Sequence, residues 1–469
     1  MQFTSVHFFI FFAVVLVGLL LLRNNEHKIT WLMLAGAVFY GYWNWKFLAL
    51  LGFTAVFDFH LGLRLGAAEG VLKKRLLILD ICVNLGILCI FKYLNFFIDS
   101  ANVLFAPLGL DLPILNIMLP IGISFFVFEA MSYCIDIYRG NLQPYTNWRH
   151  FAVFIFFFPR LIAGPIIRPA DFLPQLVREI RITRANFILG GQMFLMGMTK
   201  KLVIADRLSS YVDLVYANPG QYSGVSIWQA TIAYSIQIFC DFSGYSDMAL
   251  GLAKILGFDL PVNFRMPYIA TSLTDFWRRW HISLSSWLRD YLYIPLGGNR
   301  KGVSRTYIHL LITMTLGGLW HGASWNFVIW GVLHGLGLAV HKAFSTMRAG
   351  WRWKGDDMAT RVVSWAITYL FVCFCWVFFR AQSFGDAMTC LMKMAGVLQG
   401  GLTWLCGPLV VILPVVILAH AIGLLLQYRK ATPILDLNRF SHLVFLFCWI
   451  MGIFFLAATV SAPFIYFQF

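Results

Sequence analysis

Apolar runs of about 20 residues follow one another along almost the whole chain, and they constrain its fold more than any other feature. A helix needs roughly 20 apolar residues to cross the hydrocarbon core of a bilayer. The runs are continuous and show no alternation of polar and apolar residues, which excludes a closed transmembrane barrel of strands. The sequence therefore predicts an all-α, polytopic transmembrane bundle of about ten to twelve spans, with additional re-entrant or interfacial helices. The candidate runs lie near residues 6–22, 30–57, 76–98, 113–137, 150–167, 187–205, 228–256, 307–319, 324–345, 361–380, 408–427 and 441–465.

The composition supports a lipid environment. The 469 residues are 60% hydrophobic and 12% charged, whereas an ordinary soluble domain carries roughly 25% charged residues. The net charge of +15 comes from Lys and Arg scattered between the apolar runs, which is typical of cytoplasmic loops near anionic lipid and argues against a nucleic-acid partner. The nine cysteines lack a framework spacing, so we expect no disulfide scaffold. Residues 1–22 have no basic leader or cleavage signature and predict a retained first span.

Two segments do not have the pattern of simple spans. Residues 156–169 contain three prolines and two arginines, which favours a re-entrant element or a loop at the interface. Residues 272–293 begin with the capping-box pattern of Ser272 and Asp275, and tryptophans then alternate with arginines. That mixture predicts one interfacial helix lying near the lipid headgroups and ending at Pro295.

Two of the eleven histidines stand out as candidate catalytic residues. His321 lies between glycines and small residues, so the backbone around it is thin enough to admit a ligand, although small residues also allow close helix packing. A neutral imidazole is well suited to removing a proton from a hydroxyl near neutral pH. His281, on the predicted interfacial helix, is the second candidate, and a headgroup contact is its alternative role. A metal bound through both rings is not excluded, but the sequence suggests no third ligand, and His334 is expected to be structural.

Carboxylates inside the apolar runs form a further polar group. Asp241 and Tyr245 are four residues apart and therefore neighbours on one helix face. A carboxylate at membrane depth needs a partner, and we expect Arg278, Arg279 or Arg289 to pair with Asp241, for structure or for catalysis. Glu129, on an earlier run, is expected to form a structural pair.

Several motifs occur in an order that resembles the membrane-bound O-acyltransferase superfamily. They are residues 122–126, 136–140, 161–165, 239–248, 263–268, 275–300 and 317–331. The chain is most similar to the bacterial polysaccharide branch, which includes the alginate O-acetylation membrane subunit, its cellulose-acetylation relative and, more distantly, the D-alanyl transfer protein DltB. The likeness covers about residues 30–345, and residues 346–469 match only as additional spans. We treat residues 1–469 as one membrane domain.

The resemblance implies a helical bundle around a funnel or tunnel, with the family's catalytic histidine at His321 and its polar partner near His281. It also implies an acyl donor that enters from the cytoplasm and an acceptor outside. We further expect a set of aromatic and polar side chains to bind substrate or to wall the passage. These are Trp280, Trp320, Trp325, Asn326, Arg289, Asp290, Tyr293, Asp241 and Tyr245.

The leading interpretation is an O-acetyltransferase component of the bacterial inner membrane. We expect no bound cofactor or metal, acetyl-CoA as the donor substrate, and a periplasmic acetyltransferase or carrier that passes the acetyl group to an exported polysaccharide such as cellulose or alginate. A polysaccharide synthase or export complex is a further expected partner. His321 is expected to act as a general base or a transient acyl carrier. Alternatives are a transporter or channel without bond chemistry, a scaffold for a synthase, and an acyltransferase for peptidoglycan or teichoic acid.

Overall fold

The regular structure of the described residues is helical, apart from one isolated β-bridge between Tyr222 and Leu402. The computed structural model describes residues 1–109, 111–348, 357–429, 434–459 and 462–467. Over these residues the predicted all-α fold is confirmed. The chain divides into two compact units, one formed by residues 1–194 with 246–261 and the other by residues 195–245 with 262–469.

The first unit contains the amino-terminal helices. These are α1 Val6–Leu21, α2 Asn25–Gly41, α3 Trp45–Ala67, α4 Gly70–Leu88, α5 Leu94–Phe105, α6 Ile123–Arg139, α7 Trp148–Phe156, α8 Pro169–Val177 and α9 Arg184–Met198, with a π-helical turn at Cys89–Tyr93 and a 3-10 turn at Ala106–Leu108.

The second unit contains the end of α9 from Leu195 and the remaining helices, except for the last turns of α11, which belong to the first. The helices are α10 Asp206–Ala217, α11 Gly224–Ile255, α12 Leu273–Arg279, α13 Ile282–Leu288, α14 Ile294–Leu296, α15 Val303–His321, α16 Trp325–Arg348, α17 Met358–Arg380, α18 Phe384–Met394, α19 Gly407–Tyr428 and α20 Phe440–Leu456. π-Helical turns lie at Thr199–Ala205 and Arg289–Tyr293, and 3-10 turns at Pro219–Gln221, Pro267–Ile269 and Ile465–Phe467.

Six helical stretches in the described part of the chain are long and apolar enough to cross a membrane. They are Trp45–Ala67, Gly70–Leu108, Arg184–Ala217, Trp325–Arg348, Met358–Arg380 and Gly407–Leu426, and Val6–Leu21 and Phe440–Leu456 are shorter apolar helices. The protein is therefore a multi-pass membrane protein. Residues 460 and 461 of the last expected span lie outside the described residues.

Four expected spans differ from the observed helices. The run 441–465 is helical only as far as Leu456 within the described residues, apart from a 3-10 turn that begins at Ile465. Local chemistry explains the other three differences. The run 30–57 is two helices, because the Asn44 side chain accepts a hydrogen bond from the N–H of Lys46 (3.0 Å) and begins a new helix. The run 113–137 is helical only from Ile123, after Gly122 in a left-handed conformation (φ 77°). The run 150–167 is helical only as far as Phe156, after which two prolines interrupt it.

The non-helical segment after α7 is buried in the first unit by an ion pair. Arg160 and Glu129 are both 1% exposed and pair directly, and a carboxylate oxygen of Glu129 also accepts the backbone N–H of Ile167 at 3.0 Å. The structural pairing predicted for Glu129 is confirmed. Non-helical backbone can be buried in this way because the side chain satisfies its polar groups.

Candidate active site

A break in the helix brings His281 into the interior of the second unit. α12 begins as predicted, with the Ser272 hydroxyl accepting the N–H of Asp275 at 3.2 Å. The expected single helix over 272–293 is wrong, because His281 adopts a left-handed conformation (φ 42°, ψ 55°) and α13 starts after it. Positive φ is uncommon at residues other than glycine. The residues that do adopt it are often found at functional sites.

The side chain of Asn263 holds this break in place. Its Oδ1 accepts hydrogen bonds from the Ser283 N–H at 3.1 Å, the Ser283 hydroxyl at 3.0 Å and His281 Nδ1 at 3.2 Å. Since the amide oxygen is an acceptor, Nδ1 of His281 carries the proton and Nε2 presents its lone pair. Burial lowers the pKa of this imidazole, which lies outside the six candidate spans, to about 3. His281 is therefore a neutral ring with a fixed tautomer.

His321 is the last residue of α15, and close packing of α15 against α16 supports it. A Cβ on Gly318 would collide with the carbonyl oxygen of Phe327, and a Cβ on Gly331 would collide with that of Met314. Glycine is thus required at both positions for the two helices to approach. The small residues near His321 therefore serve helix packing, which was the structural alternative for this motif.

The two imidazoles lie close together although 40 residues separate them in sequence. Their ring centroids are 6.3 Å apart, and the Trp320 ring lies 5.9 Å from His281 and 5.1 Å from His321. Both histidines are buried, and Trp330 and Phe379 pack against His321 at 5.1 and 5.2 Å. The structure therefore brings the two predicted histidines and Trp320 into one aromatic site.

A segment that the sequence analysis treated as a generic span completes the site. The hydroxyl of Tyr466 forms a hydrogen bond with Nδ1 of His321 at 3.2 Å, and its ring lies 5.8 Å from the His321 ring and 6.4 Å from that of His281. Phe242 packs against the Tyr466 ring at 4.6 Å, and Phe464 stacks on Tyr245 at 4.7 Å. Tyr245 therefore contacts this segment, as part of the site's wall.

Asp241 has a different partner from those predicted. Its carboxylate pairs with Lys201 at 2.6 Å, and Lys201 also pairs with Asp206 at 2.8 Å. The expectation that Arg278, Arg279 or Arg289 would pair with Asp241 is wrong, because the π-helical turn Thr199–Ala205 places Lys201 beside α11. Lys201 Nζ further donates to the carbonyl oxygen of Ala462 at 2.8 Å, and Asp241 Oδ2 accepts the N–H of Ile465 at 2.7 Å.

A cavity of about 720 Å³ opens beside the His281 break. Its lining includes three basic side chains, Arg278, Arg289 and Lys342, and it also includes Ile282, which directly follows His281 in sequence. Its other lining residues are Thr274, Trp277, Ser285, Ser286, Leu288, Tyr293, Leu310, Thr313, Met314, Leu338, His341 and Ser345. The predicted substrate-binding residues Arg289 and Tyr293 therefore line one cavity, whose positive charge suits an anionic ligand.

Comparison with known proteins identifies the family of this chain. A model of MBOAT, the membrane-bound O-acyltransferase family, matches residues 75–385. The chain belongs to the membrane-bound O-acyltransferase family. It is 40% identical to the probable alginate O-acetylase AlgI of Pseudomonas putida over all of both chains, and 44% identical to that of Pseudomonas aeruginosa over 82% of this chain and 72% of the relative.

Two further relatives act on other polymers by name. The peptidoglycan O-acetyltransferase of Helicobacter pylori is 37% identical over 84% of this chain and 79% of its own length. The teichoic acid D-alanyltransferase of Bacillus subtilis is 28% identical over 57% of this chain and 70% of its own. The resemblance derived from the motifs is confirmed. It also extends into residues 346–469, since the Pseudomonas putida alignment covers the whole chain.

Four residues expected at the passage of this membrane-bound O-acyltransferase have other surroundings. Trp325 is 58% exposed at the start of α16, and the Asn326 amide donates to the carbonyl oxygen of Ala381 at 3.0 Å. Asp290 pairs with Arg289 at 2.7 Å. Trp280 is buried, with its ring 5.1 Å from that of Phe264. Trp280 and Asn326 are therefore buried among other parts of the second unit, and Trp325 is exposed at the start of its helix.

The two histidines of this acyltransferase do not belong to a group of three metal ligands within the described residues. The group with suitable spacing is Asp58, Asp80 and Cys134, which is buried in the first unit. In the site itself, Nδ1 of His281 is bonded to Asn263 and Nδ1 of His321 to Tyr466. The reacting groups that the geometry offers are therefore a phenol and two imidazoles.

Proposed function

We propose that this acyltransferase moves an acetyl group from acetyl-CoA in the cytoplasm towards O-acetylation of an exported polysaccharide, and that it does so in the bacterial inner membrane. The relatives named as alginate O-acetylases, at 40–44% identity, support alginate or a similar polymer such as cellulose as the final acceptor. A periplasmic acetyltransferase or carrier would complete the transfer, in association with a polysaccharide synthase or export complex.

The basic cavity supports a thioester donor that carries phosphate groups. Arginine and lysine bind phosphate oxygens through charge-assisted hydrogen bonds, and Arg278, Arg289 and Lys342 face one space of about 720 Å³. Ile282, which lines the same cavity, directly follows His281 in sequence, so we infer that a donor bound there by its phosphates directs its acyl end towards the imidazoles. Holding the reacting groups in this way reduces the entropic part of the barrier.

We propose Tyr466 as the first acceptor of the acetyl group. With Nδ1 of His321 as hydrogen-bond acceptor, the imidazole takes the phenol proton while Oη attacks the thioester carbonyl carbon. The C–S bond breaks, the thiolate receives the proton from the imidazolium, and an acetyl-tyrosine ester and free CoA result. The ester then passes its acetyl group to the next hydroxyl. This geometry favours His321 as a general base over its role as an acyl carrier.

His281 has a different part in this proposal. Because its Nδ1–H donates to Asn263, its Nε2 is an acceptor and cannot donate a hydrogen bond to an oxyanion. It is suited to orient an incoming hydroxyl, or to receive a proton as the ester is transferred onward. We therefore assign His281 to the second half of the reaction.

The observation that carries the proposal is the hydrogen bond between Tyr466 and His321, which lies in the same unit as the basic cavity. Purified protein in liposomes, given acetyl-CoA with a radiolabelled acetyl group, should release CoA and retain label on a peptide containing Tyr466. His321→Ala should abolish both while preserving expression. Passage of intact donor into the liposome lumen without CoA release would instead support the transporter interpretation and refute the enzymatic one.

A further inference from the structure

Lys201 and Asp241 hold the segment that carries Tyr466, and neither is one of the proposed reacting groups. We propose that Lys201 and Asp241 are positioning residues. They bind the backbone of residues 462–465 and thereby keep the Tyr466 hydroxyl within hydrogen-bond distance of His321. This inference rests on the proposed role of Tyr466 and deepens it. We call Lys201 and Asp241 together the clamp.

The clamp binds two backbone groups of the segment, both on the amino-terminal side of Tyr466. Lys201 Nζ donates to the carbonyl oxygen of Ala462 at 2.8 Å, and the N–H of Ile465 donates to Asp241 Oδ2 at 2.7 Å. Lys201 and Asp241 are themselves joined at 2.6 Å, so segment and clamp form a closed ring. Because Ile465 directly precedes Tyr466, fixing its N–H restricts where the phenol can lie.

The charges of this cluster indicate that Asp241 does more than neutralise Lys201. Asp206 also pairs with Lys201, at 2.8 Å, and one carboxylate would suffice to balance one ammonium. With Asp241 the three side chains carry a net charge of −1 in a buried position, which is costly unless further donors stabilise it. The N–H of Ile465 is such a donor. Asp241 is therefore placed to bind the segment, at some expense to the stability of the bundle.

The local structure allows the clamp to form. Lys201 lies in the π-helical turn Thr199–Ala205, and turns of this kind are frequent at functional sites. Gly244, three residues after Asp241, faces this region closely, since a Cβ there would lie 2.8 Å from the carbonyl oxygen of Gly197 and 3.1 Å from Cβ of Lys200. The absence of a side chain at Gly244 lets α11 approach the turn and brings Asp241 within reach of Lys201.

The test compares Asp241→Ala with Asp206→Ala. Each variant removes one of the two carboxylates that bind Lys201 and leaves a neutral pair, so the change in buried charge is matched. Only Asp241 bonds to Ile465. Hydrogen–deuterium exchange in nanodiscs, without any donor, should show the peptide containing residues 462–466 exchanging at least about tenfold faster in Asp241→Ala and within about threefold of wild type in Asp206→Ala.

Kinetics supply the second readout. Asp241→Ala should lower kcat for acetyl transfer by about a hundredfold and leave KM for acetyl-CoA within about twofold, because the donor cavity is untouched. Ile465→Pro, which removes the N–H at the first position of a 3-10 turn, should have the same effect, while Ile465→Ala should not. Both variants lose the buried Ile465 side chain and keep Lys201 and Asp241, so their comparison isolates the N–H and stays informative if Asp241→Ala folds poorly.

Two outcomes would overturn the clamp. One is equal exchange of residues 462–466 in Asp241→Ala, Asp206→Ala and wild type, and the other is an equal loss of kcat in Ile465→Pro and Ile465→Ala. The exchange experiment is independent of catalysis. A wild-type protein that holds the segment but transfers no acetyl group would therefore refute the proposed function and leave the clamp intact.

Discussion

The hydroxyl oxygen of Tyr466 and Nδ1 of His321 lie 3.2 Å apart, although 145 residues separate the two positions. A phenol is a weak nucleophile unless a neighbouring base takes its proton. In the proposed mechanism His321 is that base, and Phe242 packs on the Tyr466 ring at 4.6 Å, which limits its rotation. The pair therefore has the arrangement of an activated nucleophile inside a multi-pass membrane protein.

Replacing Tyr466 by Phe removes the proposed nucleophile and keeps the ring. We expect Tyr466→Phe to lose at least about a thousandfold in label transfer to protein, with thermal stability nearly unchanged, since one hydrogen bond contributes about 1 kcal/mol. Transfer is measured by mass spectrometry of the peptide containing residue 466 after incubation with acetyl-CoA. Phe464→Tyr is a control that adds a hydroxyl two residues away. Full label incorporation in Tyr466→Phe would exclude Tyr466 as the acceptor.

The amide of Asn263 is predicted to be necessary for the position of His281. Asn263→Leu removes the acceptor for three buried donors, and each donor left without a partner costs about 1–3 kcal/mol. We expect lower thermal stability and loss of acetyl transfer to the final acceptor. Ser283→Ala is the matched control, because it removes one donor and leaves the Asn263 oxygen satisfied. If both variants lose thermal stability and acetyl transfer to the same extent, Asn263 does not hold the helix break at His281.

The basic cavity predicts a charge-dependent affinity for the donor. Lys342→Gln should raise KM for acetyl-CoA about tenfold and leave kcat nearly unchanged, because the lost contact is made equally in the ground and transition states. The exposed Arg300, which does not line the cavity, provides the control variant Arg300→Gln. Added salt should weaken donor binding in wild type more than in Lys342→Gln. An unchanged KM in Lys342→Gln would place the phosphates elsewhere.

Packing of α15 on α16 is predicted to control the position of His321. Gly331→Ala places a methyl group against the backbone of Met314 and 2.9 Å from Cα of Thr315, where backbone cannot yield easily. We expect a loss of about 1–3 kcal/mol in stability and a parallel loss of activity. Gly86→Ala in α4 is the control, because a Cβ there meets nothing within 4 Å and alanine favours a helix by about 1 kcal/mol. Thermal unfolding in detergent distinguishes the two variants.

Sequence patterns correctly predicted those structural features that depend on residues close together in the chain. The capping box at Ser272 and the interruption of helix by the prolines in residues 156–169 both depend on residues a few positions apart. The apolar runs predicted the helices for the same reason. The break at His281 was not predictable in this way, because Asn263, 18 residues earlier, holds the left-handed conformation.

Partners distant in sequence account for the rest. The sequence indicated that Asp241 needs a cation, but Lys201 comes from a separate π-helical turn that no apolar pattern reveals. The sequence does not point to Tyr466, because the apolar run 441–465 predicts one span and no motif marks the residues that follow it. Its position depends on contacts with residues more than a hundred positions away, such as His321.

The cavity beside the His281 break has a mechanical consequence. Ile282 follows His281 directly, while Thr313 and Met314 lie on the helix that ends at His321, and all three border the same space. A ligand that fills this cavity would contact both the residue after His281 and the helix that ends at His321. In the proposed reaction, we therefore expect donor binding to influence the alignment of the two imidazoles.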